Sequence, residues 1–331
     1  MEPEWKYITE ADEANAKVFL NRHLPDFVKS PPRRLYHYTS GNNLIRIIEN
    51  QELWTTQIAC LNDTKELTHA LEGMLENIKM RLFASALGGR PKRLLPGPLE
   101  MRLRTVLGAP RETLFPLRFQ EKHYDRISLQ SEAQVFVSCF SEKKDDLSQW
   151  RAYSGGEGGY MIEFDPDALK KSVIQPVGLG RVEYDKKRQL KLINAMLKEA
   201  ERIYLKSEGA KSRRKHEDEW ALECVRLWLQ NVWILALFLK HPSFAAEQEW
   251  RLVLSLPPEI SATRFQQRSS MMSRHLPLTF ANKKLPIVGI CVGPCRYPEL
   301  SRIALADLLR SRRYNLDDIE LSITSVPYRL P

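Results

Sequence analysis

Apolar residues along this chain change their spacing repeatedly, and each change marks an element. Alternation of period two predicts short strands at LYHYTS after Pro31 and Pro32, LWTTQIACLND, AQVFVSCFS, GGYMIEFD, EWRLVLSL, HLPLTFA, PIVGICVGP and IELSITSVPYR. Spacing of three and four predicts helices. Leu44, Ile47 and Ile48 lie on one stripe after Ser40, a plausible N-cap, and Leu67, Ala70, Leu71, Met74 and Leu75 form a second stripe. ITEADEANAKVFLNRHL reads as a helix capped by Thr9, with Asp12 completing a capping-box-like pair. Two long helices are expected over about 185–207 and 216–240, the second apolar on most faces through Trp220, Val225, Trp228 and Leu235. PELSRIALADLLRSRRY is a last amphipathic helix with proline in its first turn.

Strands and helices alternate without a strict βαβ rhythm, and no glycine-rich phosphate loop follows a strand. Rossmann and P-loop readings fall away. What remains is α+β: a mixed or antiparallel sheet core surrounded by helices, with a helical insertion. The 331 residues, 43% of them hydrophobic, are read as a single domain over 1–331. Within it, 1–30 is an N-terminal helical extension, 79–126 a helical insertion and 185–240 a long helical pair.

Charge changes this picture in one place. The net charge is only +9, but residues 79–126 hold eleven basic residues against four acidic ones. That insertion is the natural place for a nucleic acid or protein partner, or else a solvated surface. The five cysteines are odd in number and scattered, unlike a secreted disulfide framework. Cys291 and Cys295 lie close in CVGPC, yet no nearby His or Cys completes a metal set, so no metal is expected. The N-terminus lacks an export-type apolar stretch, and VWILALFL is about half a membrane span. A cytoplasmic protein without membrane association is the expectation; the oligomeric state is not legible.

Three segments put chemistry-capable side chains at strand lips. His37, Tyr38, Thr39 and Ser40 come first; alternation sends His37 and Thr39 to one face and Tyr38 to the other. Ser138 and Ser141 lead through Asp145 and Asp146 to Gln149, Trp150, Arg151 and Tyr153. Glu247, Glu249 and Arg251 alternate onto one face in EQEWR. Asn62 and Asp63, with Glu66 three residues on, form a fourth polar spot at a turn. Each alone has a bland reading as a satisfied core histidine, a Trp–Arg stack or an edge ion pair. A hydrolase or phosphotransferase built on His37, Asp63 and Glu249 lacks a nucleophile elbow or metal spacing.

With those segments in view, the chain resembles the bacterial Domain of Unknown Function 2971 family, on LYHYTS, LWTTQIACLND with Glu66, the stretch from SCFS through WRAY to GGYMIEFD, EQEWRLV, and the late VGP and SVPYR. LYHYTSGNNLIRIIENQELW is also similar to the opening strand and helix of toxin-type ADP-ribosyltransferases that act on DNA. In that superfamily the site is carried on three strands in the order His or Arg, then Tyr or Ser-Thr-Ser, then Glu, an order that His37, the Ser138–Ser141 stretch and Glu249 fit. The resemblance implies a sheet of ADP-ribosyltransferase type and NAD as substrate, consumed by ADP-ribosyl transfer or NAD hydrolysis in a toxin or defence effector. It implies Glu249 beside the ribose, Glu247 on the accepting group and His37 on a ribose hydroxyl. Thr39, Ser40, Asn62, Ser138, Ser141 and Tyr153 would line the NAD site. Tyr38 or Trp150 would stack on nicotinamide, and Arg151 or Arg251 would neutralise the pyrophosphate. A non-catalytic nucleic-acid- or nucleotide-binding module is the other expectation.

Overall fold

The computed structural model describes residues 31–60, 76, 78–80, 95–108, 135–154, 158–175, 177–206, 218, 220–222, 224–225, 228, 235–255, 263–268, 271–281 and 283–327. The chain divides into two compact units. One comprises 1–29, 62–125 and 183–242, the other 30–61, 126–182 and 243–331.

The second unit carries the sheet. Its strands are β1 (Leu35–Ser40), β2 (Leu53–Gln57), β3 (Val135–Ser141), β4 (Gly159–Phe164), β5 (Val177–Arg181), β6 (Glu249–Ser255), β7 (Arg264–Arg268), β8 (Met271–Leu278), β9 (Ile287–Val292) and β10 (Glu320–Ile323). All described pairs are antiparallel except β9–β10, so the sheet is mixed and the fold is α+β.

The sheet branches at β3. Along one edge β3 pairs with β6 for its full length, from Val135 opposite Ser255 to Ser141 opposite Glu249. The other edge is shared. β1 takes the Ser141 end through Tyr36, and β2 takes the Val137 end through Thr56. From there one arm continues through β4, β9 and β10, and the other through β8 and β7. Two strands cannot occupy one edge at full length, so β1 and β2 part along the middle of β3 and leave a fork.

Helix α1 (Gly41–Asn50) leaves β1 directly. The Ser40 hydroxyl accepts the Asn43 N–H at 3.4 Å, and Gln51, in the left-handed conformation, ends the helix with its N–H on Ile47. The expected cap and apolar stripe are both present. Leu44, Ile47 and Ile48 pack onto one sheet face with Leu35, Phe140, Ile162, Phe164, Trp250, Leu252 and Ile290, joined by Leu305 and Leu309 of the C-terminal helix Pro298–Ser311. The opposite face carries a smaller cluster of Tyr36, Tyr38, Met161 and Cys291 around Trp150.

Four elements lie where sequence pattern gave no signal. β5 and β7 are strands in glycine-rich VGLGR and polar RFQQR. Leu147–Tyr153 and Pro166–Ser172 are short helices, each capped by an aspartate, Asp146 and Asp165. The unit built from 1–29, 62–125 and 183–242 contains helices Gly97–Gly108 and Lys186–Lys206, the latter matching the first of the two expected long helices. Residues 218, 220–222, 224–225, 228 and 235–236 of the second are helical. The helices read over 9–24 and 64–85 fall outside the described residues, apart from helical Glu76 and 78–80. Among the described residues, no helix is long and apolar enough to cross a membrane.

Candidate functional site at the sheet fork

At the fork, backbone groups of β3 lose the partners that a continuous neighbouring strand would supply. The Cys139 carbonyl is one of them, and His37 answers it: its Nδ1–H donates to that oxygen at 2.9 Å. This fixes the neutral tautomer and leaves Nε2 as an acceptor. The ring also lies 5.6 Å from that of Phe140 and is partly exposed. Burial lowers the His37 pKa, only partly offset by the carbonyl bond, so the imidazole is neutral at pH 7. Thr39 and Ser138 lie on the same face as His37 and are buried, and the Ser138 hydroxyl, 3% exposed, has no hydrogen-bond partner.

Register separates the remaining residues. Tyr36 stands opposite Ser141, and Ser141 opposite Glu249, so these three share a face with Cys139 and Arg251. His37 stands opposite Ile162 on the other face. The structure therefore brings Ser141, Glu249 and Arg251 together and sets His37, Thr39 and Ser138 apart from them. Glu249 is buried and held by Arg251 through two contacts, Nε to Oε1 at 2.7 Å and the second nitrogen to Oε2 at 3.1 Å. Ser141 is tied to the backbone, donating to the Glu247 carbonyl at 2.7 Å and accepting the Lys143 N–H at 3.1 Å. Strand alternation does not extend to Glu247. That residue ends a 3-10 turn (Pro242–Glu247), and Gln248 has a positive φ of 45° before β6 begins. Only Glu249 and Arg251 share a face by alternation.

The WRAY block is a clamp. Trp150, 0% exposed, meets Tyr38 edge-on at 4.8 Å and donates from its indole nitrogen to Asp145 at 2.8 Å. Its ring has no open face for a ligand. Tyr38 donates to the Lys143 carbonyl at 2.7 Å and accepts the Asp146 N–H at 3.0 Å. Burial raises the Tyr38 pKa above the phenol range. Asp145 also binds the Thr324 hydroxyl and the Ser325 amide and hydroxyl, the latter two at 2.8 Å. Despite partial burial, these donors lower its pKa. Arg151 and Tyr153 are exposed on the helix beyond, Ser40 serves as the α1 cap, and Asn62 lies outside the described residues.

A further polar chain had no signal in the sequence. Ser273 donates to the Gln266 carbonyl at 3.0 Å and contacts His275 Nε2 at 2.7 Å, while Thr56 contacts His275 Nδ1 at 3.3 Å. His275 and Ser273 are almost fully buried, so this is an internal network. In the basic insertion, Arg104 pairs with Glu100 at 2.7 Å and Arg102 with Asp218 at 3.7 Å, so two of its cations have acidic partners.

Residues 149–252 match the family model described as "Protein of unknown function (DUF2971)". The DUF2971 resemblance holds. The DUF2971 stretch runs from Gln149 in the Trp150 helix to Leu252 in β6, taking in WRAY and EQEWR but not LYHYTS or SCFS. No curated protein and no solved structure matches the chain. The DUF2971 stretch thus includes the buried Glu249–Arg251 pair, the indole of the Trp150 clamp and the strand β5 that flanks β6.

Proposed function

We propose that this chain binds NAD at the β1–β2 fork and consumes it, either transferring ADP-ribose to an acceptor or hydrolysing the nicotinamide–ribose bond. One observation carries the reading. A neutral imidazole, locked with Nε2 as an acceptor, shares a sheet face and a strand fork with a buried hydroxyl that lacks a partner. A ribose, whose hydroxyls both donate and accept, complements that pair. The similarity of the first strand and helix to toxin-type ADP-ribosyltransferases supports the same choice of ligand. On that similarity the protein would be a toxin or defence effector.

Breaking the nicotinamide–ribose bond builds positive charge on the sugar, which a nearby carboxylate stabilises. Glu249 is a buried carboxylate of the DUF2971 stretch, as is Glu163, but it projects to the face opposite His37. The sugar grip therefore falls to His37 and Ser138.

The experiment follows purified protein with labelled NAD, reading nicotinamide release, label transfer to protein, DNA or RNA, and NAD affinity by calorimetry. Wild type is expected to bind and turn over NAD, and His37→Ala to lose affinity about tenfold, the worth of one to two hydrogen bonds. Because Glu249 projects to the opposite face from that grip, Glu249→Gln is expected to retain both affinity and turnover. Wild-type protein that neither binds NAD at millimolar concentration nor releases nicotinamide would remove the proposal.

A further inference from the structure

The branch of the sheet farthest from the fork ends in a surface with an unusual makeup. β7 has one neighbour among the described strands, β8, so among the described residues its outer backbone edge is unpaired. Natural edge strands are usually blunted with charge or covered, because an open row of N–H and C=O groups invites pairing. Here β7 is framed by Arg264 and Arg268 but carries Phe265, 58% exposed, between them, and Met272 next to it on β8 is 65% exposed. The registers Phe265 opposite Arg274 and Gln267 opposite Met272 put Phe265, Met272 and Arg274 on one face.

Arg274 is the telling residue. Its Nε is buried with no hydrogen-bond partner, and its guanidinium forms no ion pair with any described residue. Desolvating a charged donor without an acceptor is costly. Its neighbour Arg264, by contrast, is engaged, 2.7 Å from Glu52 and over the Trp54 ring at 5.6 Å. Residues 263–275 contain three arginines and no acidic residue, so the hairpin itself supplies no counter-charge.

We infer that the β7 edge is a docking surface for an extended segment of a partner protein. That segment adds as a strand, lays an apolar side chain on Phe265 and Met272, and places a carboxylate on Arg274. A strand added beside β7 would lie about 10 Å from β8, two strand spacings. The arginine and a glutamate extending towards each other bridge that gap. Backbone pairing supplies affinity and the alternating side chains supply selectivity, as in other strand additions. The open edge favours a peptide over nucleic acid, which would use the cation but not the backbone row.

The test uses a short acetylated peptide alternating Val and Glu, its Val–Lys counterpart, the Val–Glu peptide with prolines at alternate positions, and a single-stranded oligonucleotide. Affinity is read by fluorescence anisotropy and β7 amide protection by hydrogen exchange on the full chain. The Val–Glu peptide is expected to bind and protect the β7 amides. Arg274→Gln and Phe265→Ser are expected to weaken it about tenfold without lowering the melting temperature, which the loss of the unsatisfied Arg274 donor raises. Prolines and charge reversal are expected to abolish binding. No binding of the Val–Glu peptide, equal binding of the Val–Lys peptide, or oligonucleotide binding that depends on Arg274 without β7 protection would overturn the inference.

Discussion

Ser138→Ala separates a ligand-binding hydroxyl from a structural one, because the two roles move stability in opposite directions. The Ser138 Oγ is buried and has no partner. Leaving such a hydroxyl unsatisfied costs about 1–3 kcal/mol. Removing it opens a void of roughly one oxygen atom, on the order of 15 Å³, worth about 0.4 kcal/mol. The substitution therefore stabilises the free protein by about 1 kcal/mol, a rise in Tm of about 1–2 °C for a chain of 331 residues. The same change removes a hydrogen bond to bound sugar, so NAD affinity should fall about three- to tenfold. Ser141→Ala is the contrast: Ser141 donates to Glu247 and accepts from Lys143, so its loss removes both hydrogen bonds and lowers stability by about 1–2 kcal/mol. Thermal unfolding with and without NAD reads all of these quantities. A Ser138→Ala variant less stable than wild type by 1 kcal/mol or more would show that the hydroxyl serves the fold, and the argument for the fork as a ligand site would fail.

Other expectations rest on single contacts. Glu249→Gln weakens the buried bidentate pair with Arg251, so it should cost about 3 kcal/mol in urea unfolding, which turnover comparisons must allow for. The folded His37 pKa lies below its ordinary 6.5, so the unfolded chain takes up the proton first. Stability should be flat above that pH and fall as pH drops towards the folded value; His37→Asn, which keeps a donor for the Cys139 carbonyl, should flatten that slope in pH-dependent unfolding. Asp145 has a depressed folded pKa, so its contribution is complete above the ordinary 3.8 and is lost as pH falls from there through the lower folded value. Asp145→Asn should cost about 2 kcal/mol at pH 7, with the gap from wild type closing under acid conditions as read by melting curves. Trp150→Ala removes a fully buried indole and should cost about 3–5 kcal/mol, measured by chemical denaturation.

Much of the fold is written in local pattern, and the parts that are not share a cause. LYHYTS and the apolar stripe after Ser40 specify β1 and α1 because alternation, cap and spacing all lie within sixteen residues. VGLGR and RFQQR form strands only because β6 and β8 lie ready to pair with them; glycine and glutamine carry no strand preference of their own. Alternation within LYHYTS correctly separates His37 from Tyr38. Alternation cannot say which face of β1 faces the same way as which face of β6. That depends on register across β3, set by contacts more than a hundred residues apart, and it is why His37 and Glu249 part company. Glu247 fails for a local reason, since the positive φ at Gln248 breaks the period just before the strand. Asp145 and Asp146 stood in the sequence as plausible chemistry, yet a fold also needs acceptors for stray donors.

Asp145 has a consequence for how the polypeptide assembles. One carboxylate gathers an indole five positions ahead of it and a hydroxyl, an amide and a second hydroxyl some 180 positions away. Thr324 and Ser325 thus gain their contacts to Asp145 only once the middle of the chain has taken shape, and loop closure over that separation is slow. Their amide protons should be among the last to gain protection during refolding, and a chain cut before Thr324 should loosen first around Trp150.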